Sequence, residues 1–390
     1  MIALLLAIAV TVSPSPAPTS TAADPSAIPV AAEDYLNVGL RAAKAGDYKS
    51  AIASYDNAIA VAPAFADAFF ARGVARDEVG DFRRARDDYD RVIALSPGKA
   101  DAYYNRGVVR HELGDDRGAL DDFDKALALA PENVNTMISR GLARTLLGDA
   151  KGSLADYDRA LALSPDQWPA YQDRGMAYFT LGEYALALKD FDVYIKARPE
   201  DAKARLERGL TKMKLGADAG ALPDLTYAIR NGVDVAAAYY DRGLALHRLG
   251  KDTDAIGDFT RSIRADATFV EAYVDRGALL HDRHEERDAL ADLDRAVALD
   301  PTFAPSFLNR GNVRRAMHDA GGAMSDYDRA IELDPRSGIA YFDRGVLRAD
   351  GGQYALARAD FKHALQFGPA EADVDFRARA AAYLAQLPGQ

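Results

Sequence analysis

The stretch AYYNRGVVRHELGD, residues 102–115, places a glycine in the middle of a segment with helical spacing. Apolar residues such as Val108 and Leu113 alternate with polar ones as in an amphipathic helix. Glycine costs about 1 kcal/mol relative to alanine inside a helix, so Gly107 beside Arg106 needs a reason. The same Arg-Gly pair returns at 72, 140, 174, 208, 242, 276, 310 and 344, always 34 residues apart. The chain is therefore a repeat.

Ten units of 34 residues follow one another from Ala32 without insertion or deletion. We number the residues of each unit as places 1 to 34. Place 8 is glycine in all ten units, place 20 is alanine in nine, with Ser153 as the exception, and a proline closes eight. The units are 32–65, 66–99, 100–133, 134–167, 168–201, 202–235, 236–269, 270–303, 304–337 and 338–371.

Each unit shows two amphipathic segments, at places 2–14 and about 18–30, which predict two helices joined by a short turn. A glycine near place 15 supplies the left-handed residue of the turn. The small residues at places 8 and 20 indicate that the two helix backbones approach closely. The closing proline ends the second helix.

This pattern of glycine, alanine and proline resembles the tetratricopeptide repeat family over residues 32–371. The resemblance implies an all-α fold, a right-handed superhelical solenoid of helix-turn-helix repeats whose inner surface binds other proteins. One departure is systematic. The family usually has an apolar residue at place 7, whereas nine units of this chain have arginine there.

The same nine units carry aspartate at place 23, and the first unit lacks both, having Val38 and Ser54. Joint presence and joint loss predict an Arg-Asp contact within each unit, between its two helices. Pairing with the preceding unit would leave Arg72 opposite Ser54. A ladder of arginines lining a binding surface remains the alternative.

The pattern weakens in the sixth unit and at the end of the chain. Pro223 falls inside an expected second helix, which predicts a late start or a kink and raises the question of a hinge. His284 and His318 occupy the turn place that glycine holds elsewhere, so we expect them to be left-handed. Residues 372–390 predict a C-terminal capping helix.

The N-terminal segment differs from the repeats. Residues 2–12, IALLLAIAVTV, are too short an apolar run for a membrane span but suit the core of a secretory signal. We expect a signal peptide at 1–23, cleaved after Ala23, and a Pro/Ala-rich tether at 24–31. Export implies a periplasmic or secreted protein; without a functional signal the chain would be cytoplasmic.

Composition limits the function. The chain has 49% apolar residues, 27% charged residues and no cysteine, which excludes disulfides and thiol catalysis. A formal charge of −11 disfavours nucleic acid as a partner. We find no motif of an enzyme, so we predict no catalytic residues, no cofactor and no metal site. His247, His281 and Asp282 are the nearest approach to a metal-binding set.

In the resembling family, the inner surface is formed by places 2, 5, 6, 9, 12 and 13 of the first helix. Here these places hold 14 acidic and 5 basic residues. Their apolar members give the predicted partner-binding set: Phe70, Val74, Tyr104, Val108, Ile138, Leu142, Met176, Leu206, Tyr240, Leu244, Val274 and Phe342. Part of this set is also expected to pack against neighbouring helices.

These features predict a non-enzymatic scaffold that binds an apolar and basic segment of a partner protein in its concave groove. The alternative is a cell-envelope component that binds polysaccharide, with Tyr104, Tyr240 and Phe342 stacking on sugars.

Overall fold

The computed structural model describes residues 28–368 and 374–388. Every regular element in this part of the chain is an α-helix, and the helices number 21. They fall into two compact units that divide after Gly148. The first compact unit contains α1 Val30–Lys44, α2 Tyr48–Val61, α3 Ala66–Glu78, α4 Phe82–Leu95, α5 Ala100–Glu112, α6 Asp116–Leu129 and α7 Val134–Leu146.

The second compact unit, from Asp149 onward, contains the remaining helices. These are α8 Ala150–Leu163, α9 Trp168–Thr180, α10 Tyr184–Ala197, α11 Ala202–Lys214, α12 Asp218–Arg230, α13 Val235–Arg248, α14 Asp252–Ala265, α15 Val270–Asp282, α16 Glu286–Leu299, α17 Ala304–Ala316, α18 Ala320–Leu333, α19 Gly338–Asp350, α20 Tyr354–Phe367 and α21 Val374–Gln386.

Each repeat supplies a first helix, here helix A, near places 1–13 and a second, helix B, near places 17–30. In the second repeat these are α3 and α4, which pack against each other, and α4 then packs against α5 of the next repeat. The first helix begins at Val30, so Val30 and Ala31 belong to it and not to the expected tether. α21 packs against α20.

An aromatic ring explains the glycine at place 8. A methyl group added at Gly107 would lie 2.6 Å from the ring of Phe123 at place 24 of the same repeat, and one at Gly73 would lie 2.8 Å from Tyr89. Phe123 and Tyr89 are themselves almost fully buried. The glycine therefore makes room for the place-24 side chain of helix B, and at Gly277 an added methyl group would also lie 3.3 Å from the backbone oxygen of Ala289 at place 20.

The turns between helices A and B use left-handed residues. Glycines such as Gly80 and Gly114 have φ of 77° and 81°. His284 and His318 take the same conformation with φ of 60° and 64°, which confirms the expectation from their place in the repeat. Glycine adopts this conformation without the steric cost that a Cβ brings.

The internal proline does not delay its helix. α12 begins at Asp218, the same place at which other second helices begin, and contains Pro223. The expected late start is therefore wrong, because one missing amide hydrogen removes only one bond of the helix ladder. α12 ends at Arg230 and is followed by left-handed Gly232 and Asp234, with φ of 75° and 38°.

The place-7 arginines lie between helices A and B and pair with the place-23 aspartates, as predicted. Arg174, for example, donates from Nε and Nη2 to the two carboxylate oxygens of Asp190, over 2.7 and 2.8 Å. Eight such pairs confirm the prediction: Arg72–Asp88, Arg106–Asp122, Arg174–Asp190, Arg208–Asp224, Arg242–Asp258, Arg276–Asp292, Arg310–Asp326 and Arg344–Asp360.

The remaining Nη1 of each place-7 arginine reaches the preceding repeat. In seven repeats it donates to an aspartate at place 25: Arg72–Asp56, Arg106–Asp90, Arg140–Asp124, Arg174–Asp158, Arg208–Asp192, Arg310–Asp294 and Arg344–Asp328. Thr226 and Thr260 replace the aspartate for Arg242 and Arg276. Each arginine thus joins two repeats, a contact that the sequence argument did not anticipate.

The two compact units divide within the fourth repeat, whereas the irregular sixth repeat lies inside the second unit. There α11, α12 and α13 pack together around buried Leu206, Leu225 and Ala238. The predicted signal peptide and its cleavage site lie outside the described residues. No helix of residues 28–368 and 374–388 is long and apolar enough to cross a bilayer.

Candidate binding face on the first helices

The structure divides the predicted partner-binding residues into two groups. Five are buried in the core: Phe70, Tyr104, Leu206, Val274 and Phe342. At place 5 the side chain lies against the place-24 ring, with ring centroids 5.9 Å apart for Phe70 and Tyr89. The other seven are half-buried: Val74, Val108, Ile138, Leu142, Met176, Tyr240 and Leu244. Only this second group presents surface to a partner in the conformation described.

A row of carboxylates runs along place 6 of four successive repeats in the second compact unit. It consists of Asp173, Glu207, Asp241 and Asp275, on α9, α11, α13 and α15, and we call it the acidic row. All four residues are half-buried. Sequence reasoning counted acids over six places but did not single out this column, although four consecutive acids at one place were visible in the sequence.

Two members of the acidic row accept a hydrogen bond from place 5 of the preceding repeat. Gln172 Nε2 donates to Glu207 Oε2 over 3.1 Å, and the Tyr240 hydroxyl donates to Asp275 Oδ2 over 2.7 Å. The bonds join α9 to α11 and α13 to α15, so the acidic row follows the stacking of the helices A.

The other two members, Asp173 and Asp241, form no hydrogen bond or close ion pair with any described residue. Burial raises the pKa of Asp173 to about 7, helped by the charge of Glu207 and opposed by Lys203. Burial raises the pKa of Asp241 to about 6, against the charges of Lys214 and Arg248. Burial without a hydrogen-bond donor disfavours the charged form of a carboxyl group. A cation placed beside the group would favour the charged form and lower its pKa.

Burial also raises the pKa of Glu207 and Asp275, in each case against the hydrogen bond that the carboxylate accepts. Half-buried apolar side chains of Met176, Leu210 and Leu244 lie three places further along the same helices. The face therefore combines carboxylates with apolar surface.

Two of the three aromatic residues expected to stack on sugars are buried. Tyr104 and Phe342 are 7% and 4% exposed, and Phe342 packs on Phe376 and Tyr383 of α21 with ring centroids 5.5 Å apart. The Tyr240 hydroxyl is bonded to Asp275. Tyr240 alone keeps exposed surface, so the row of aromatic residues that favoured a polysaccharide ligand is not present on this face.

His247 and His281 each contact a carboxylate of their own repeat. His247 Nδ1 lies 2.7 Å from Asp252 and His281 Nδ1 lies 2.6 Å from Glu286, each across the turn to helix B. Among the described residues, no cluster of three or more metal-ligating side chains has a metal-binding arrangement. The two rings therefore do not converge on a shared site.

Comparison with known families matches two models, both described as tetratricopeptide repeat. One matches residues 77–148 and 148–206, and the other matches residues 36–78, 206–270 and 308–372. The chain belongs to the tetratricopeptide repeat family. Members of this family bind other proteins and are generally not enzymes, which makes this chain a protein-interaction scaffold. A comparison with curated proteins gave no match.

Several solved structures are similar to the chain. A tetratricopeptide repeat protein from Parabacteroides merdae is 21% identical, with a TM-score of 0.47, covering 60% of this chain and 92% of that one. The pilF protein of Pseudomonas aeruginosa is 19% identical, with a TM-score of 0.46 and coverages of 51% and 91%. YrrB, described as a TPR protein with an unusual peptide-binding site, is 27% identical, with a TM-score of 0.42 and coverages of 50% and 96%.

Proposed function

We propose that this scaffold binds an apolar and basic segment of a partner protein on the helix A face of repeats five to eight. The observation that carries the proposal is the acidic row, Asp173, Glu207, Asp241 and Asp275, beside half-buried apolar side chains. Lysine or arginine side chains of the partner would supply the donors that Asp173 and Asp241 lack.

Asp173 and Asp241, the two unpartnered carboxylates, would gain most from a basic partner. A half-buried charge without a partner destabilises the free protein, and that cost is relieved when a basic side chain binds. Apolar side chains between the basic ones would cover Met176, Leu210 and Leu244 and remove them from water. The formal charge of −11 also attracts a basic segment at long range, most strongly at low salt.

Fluorescence anisotropy with two labelled synthetic peptides tests the proposal. One peptide alternates leucine and lysine, and the other alternates leucine and glutamate. We expect saturable binding of the first, weakened by salt, and no binding of the second. Equal binding of both peptides, or of neither, would contradict the proposal.

A pair of double variants locates the site. Asp241→Asn with Asp275→Asn should weaken binding of the lysine peptide by about tenfold or more, because each substitution removes one negative charge of the acidic row that a partner cation would pair with. The matched control, Asp254→Asn with Asp288→Asn, removes the same charge from exposed positions on helices B of the same repeats. An equal effect of the two pairs would show general electrostatic attraction and not a site on helix A.

We also propose that the chain is exported and cleaved after Ala23, on the basis of the apolar run at residues 2–12 and the small residues that follow it. Mass spectrometry of the N-terminus in cell fractions tests this proposal. An intact Met1 on a cytoplasmic protein would contradict it, and the partner-binding proposal would stand without it.

A further inference from the structure

At one place of helix B, which packs at an interface between repeats, the second repeat has a residue unlike those of most other repeats. Place 21 is isoleucine, leucine or methionine in repeats one and three to nine: Ile52, Leu120, Leu154, Leu188, Leu222, Ile256, Leu290 and Met324. These side chains are half-buried, and Ile52, Leu120 and Leu290, for example, pack against core clusters. In the second repeat the place holds Arg86. Arg358 of the last repeat has no full repeat after it.

A cavity of about 470 Å³ opens beside Arg86, within the first compact unit. Arg83, Arg86 and Asp90 line it from α4, where their spacing of three and four residues puts them on one face. Arg110, Leu113 and Asp115 line it from the end of α5 and the following turn. The Arg86 side chain bonds to Asp87, its neighbour in sequence, instead of filling this space.

The two carboxylates of the cavity wall are already bound. Asp90 accepts from Nη1 of Arg106 over 2.6 Å. Asp115 accepts from the backbone N–H of Gly118 over 2.9 Å, at the start of α6, and lies 3.9 Å from Arg110 Nε. The charge of Asp90 is thus partly neutralised by Arg106 outside the cavity, and that of Asp115 by Arg110 in the cavity wall.

The three arginines, in contrast, have free donors. Arg83 forms no hydrogen bond or ion pair with any described residue, and Arg86 uses only Nε and Nη2. Arg110 uses Nη1 for Asp122 and the carbonyl of Gly118, which leaves Nη2 without an acceptor in the described part of the chain. Guanidinium groups in this number around a cavity match the planar, multidentate recognition of oxyanions.

We propose that the cavity between the second and third repeats binds a doubly charged oxyanion of the phosphate class, held by Arg83, Arg86 and Arg110. The three guanidinium groups of the wall outnumber its two carboxylates, so the net attraction increases with the charge of the anion. The site is independent of the acidic row, which lies on helices A of the other compact unit.

Titration of the full chain with inorganic phosphate at constant ionic strength tests the proposal. The readout is the Nε–H signals of the arginine side chains in a nitrogen-15 NMR spectrum. We expect saturable shifts for Arg83 and Arg86 with phosphate and none with acetate. Shifts that do not saturate, or that acetate reproduces at equal concentration, would overturn the proposal.

Arg86→Leu separates binding from packing, because leucine is a residue that other repeats carry at this place. We expect the variant to lose phosphate affinity by about tenfold or more while keeping a melting temperature at least equal to that of the wild type. Arg84→Leu is the control, since Arg84 is 72% exposed, pairs only with Asp81 and does not line the cavity.

Unchanged phosphate affinity in Arg86→Leu would refute the proposal. If Arg86→Leu melts lower, Arg83→Gln serves in its place, because Arg83 is exposed and has no partner whose loss could destabilise the fold. Unchanged affinity in that variant would be equally decisive.

Discussion

Replacing Arg174 by alanine tests the arginine that joins neighbouring repeats. Its Nε and Nη2 bond to Asp190, whose side chain is 7% exposed, and its Nη1 bonds to Asp158, whose side chain is 55% exposed. Breaking a buried pair by removing one partner costs about 3 to 5 kcal/mol, because a buried charge is left alone. An exposed pair contributes about 0 to 1 kcal/mol. We therefore expect Arg174→Ala to cost several kcal/mol and Asp158→Ala to cost about 1 kcal/mol or less.

The double variant Arg174→Ala with Asp190→Ala should recover part of the loss, since neither charge is then left without its partner. Trp168, the only tryptophan, provides a local probe: its ring lies 6.3 Å from that of Tyr171, and the Arg174 guanidinium lies 5.5 Å above the same Tyr171 ring. Denaturation in guanidinium chloride, followed by Trp168 fluorescence, gives the four stabilities of the cycle. A coupling below about 0.5 kcal/mol, the level at which independent sites add, would refute the pairing argument.

Three further outcomes are expected. Gly107→Ala should cost about 1 to 3 kcal/mol in thermal or chemical denaturation because the new methyl group would meet Phe123, whereas Gly209→Ala, with 3.2 Å to its nearest neighbour, should cost less; equal costs would contradict the ring argument. Burial raises the pKa of Asp173 to about 7 from 3.8, so this residue contributes most to the free energy of unfolding below about pH 4, and that contribution is lost as pH rises through 7. The denaturation midpoint of Asp173→Asn should therefore rise relative to that of the wild type between pH 5 and pH 8. An unchanged difference would mean that Asp173 titrates normally. Amide exchange should be faster in residues 216–235, around the internal proline, than in the helices on either side, and uniform exchange there would exclude a local weak point.

The fold could be predicted from the sequence because the same 34-residue pattern occurs ten times. The left-handed turn residue near place 15 and the closing proline set helix ends that recur every 34 residues, and the structure places helices between them. The Arg-Asp pair within a repeat was predictable for the same reason, since the first repeat lost both residues together. The residues at one place of the ten repeats can be compared with one another as in a sequence alignment.

Contacts between residues at different places of the repeat were harder to predict. The place-25 aspartates are visible in the sequence, yet nothing in their spacing says that Asp158 accepts from Arg174 of the next repeat. Burial of Tyr104 and Phe342 depends on the ring at place 24 and on α21, which the periodicity of helix A does not show. Apolar residues at one helical place look alike in sequence whether they face the core or a partner.

In a repeat protein, residues that recur in every unit maintain the stacking of neighbours, so information about function lies in the departures. Repeats five to eight, residues 168–303, differ from the repeat pattern in three features. They carry acids at place 6, threonine in place of aspartate at place 25 in Thr226 and Thr260, and the proline inside α12. The stacking contacts do not require acids at place 6, because the first four repeats have asparagine, alanine or serine there: Asn37, Ala71, Asn105 and Ser139. Asp173 and Asp241, two carboxylates without a donor, lie in this same stretch, which supports the proposal that the partner binds the second compact unit.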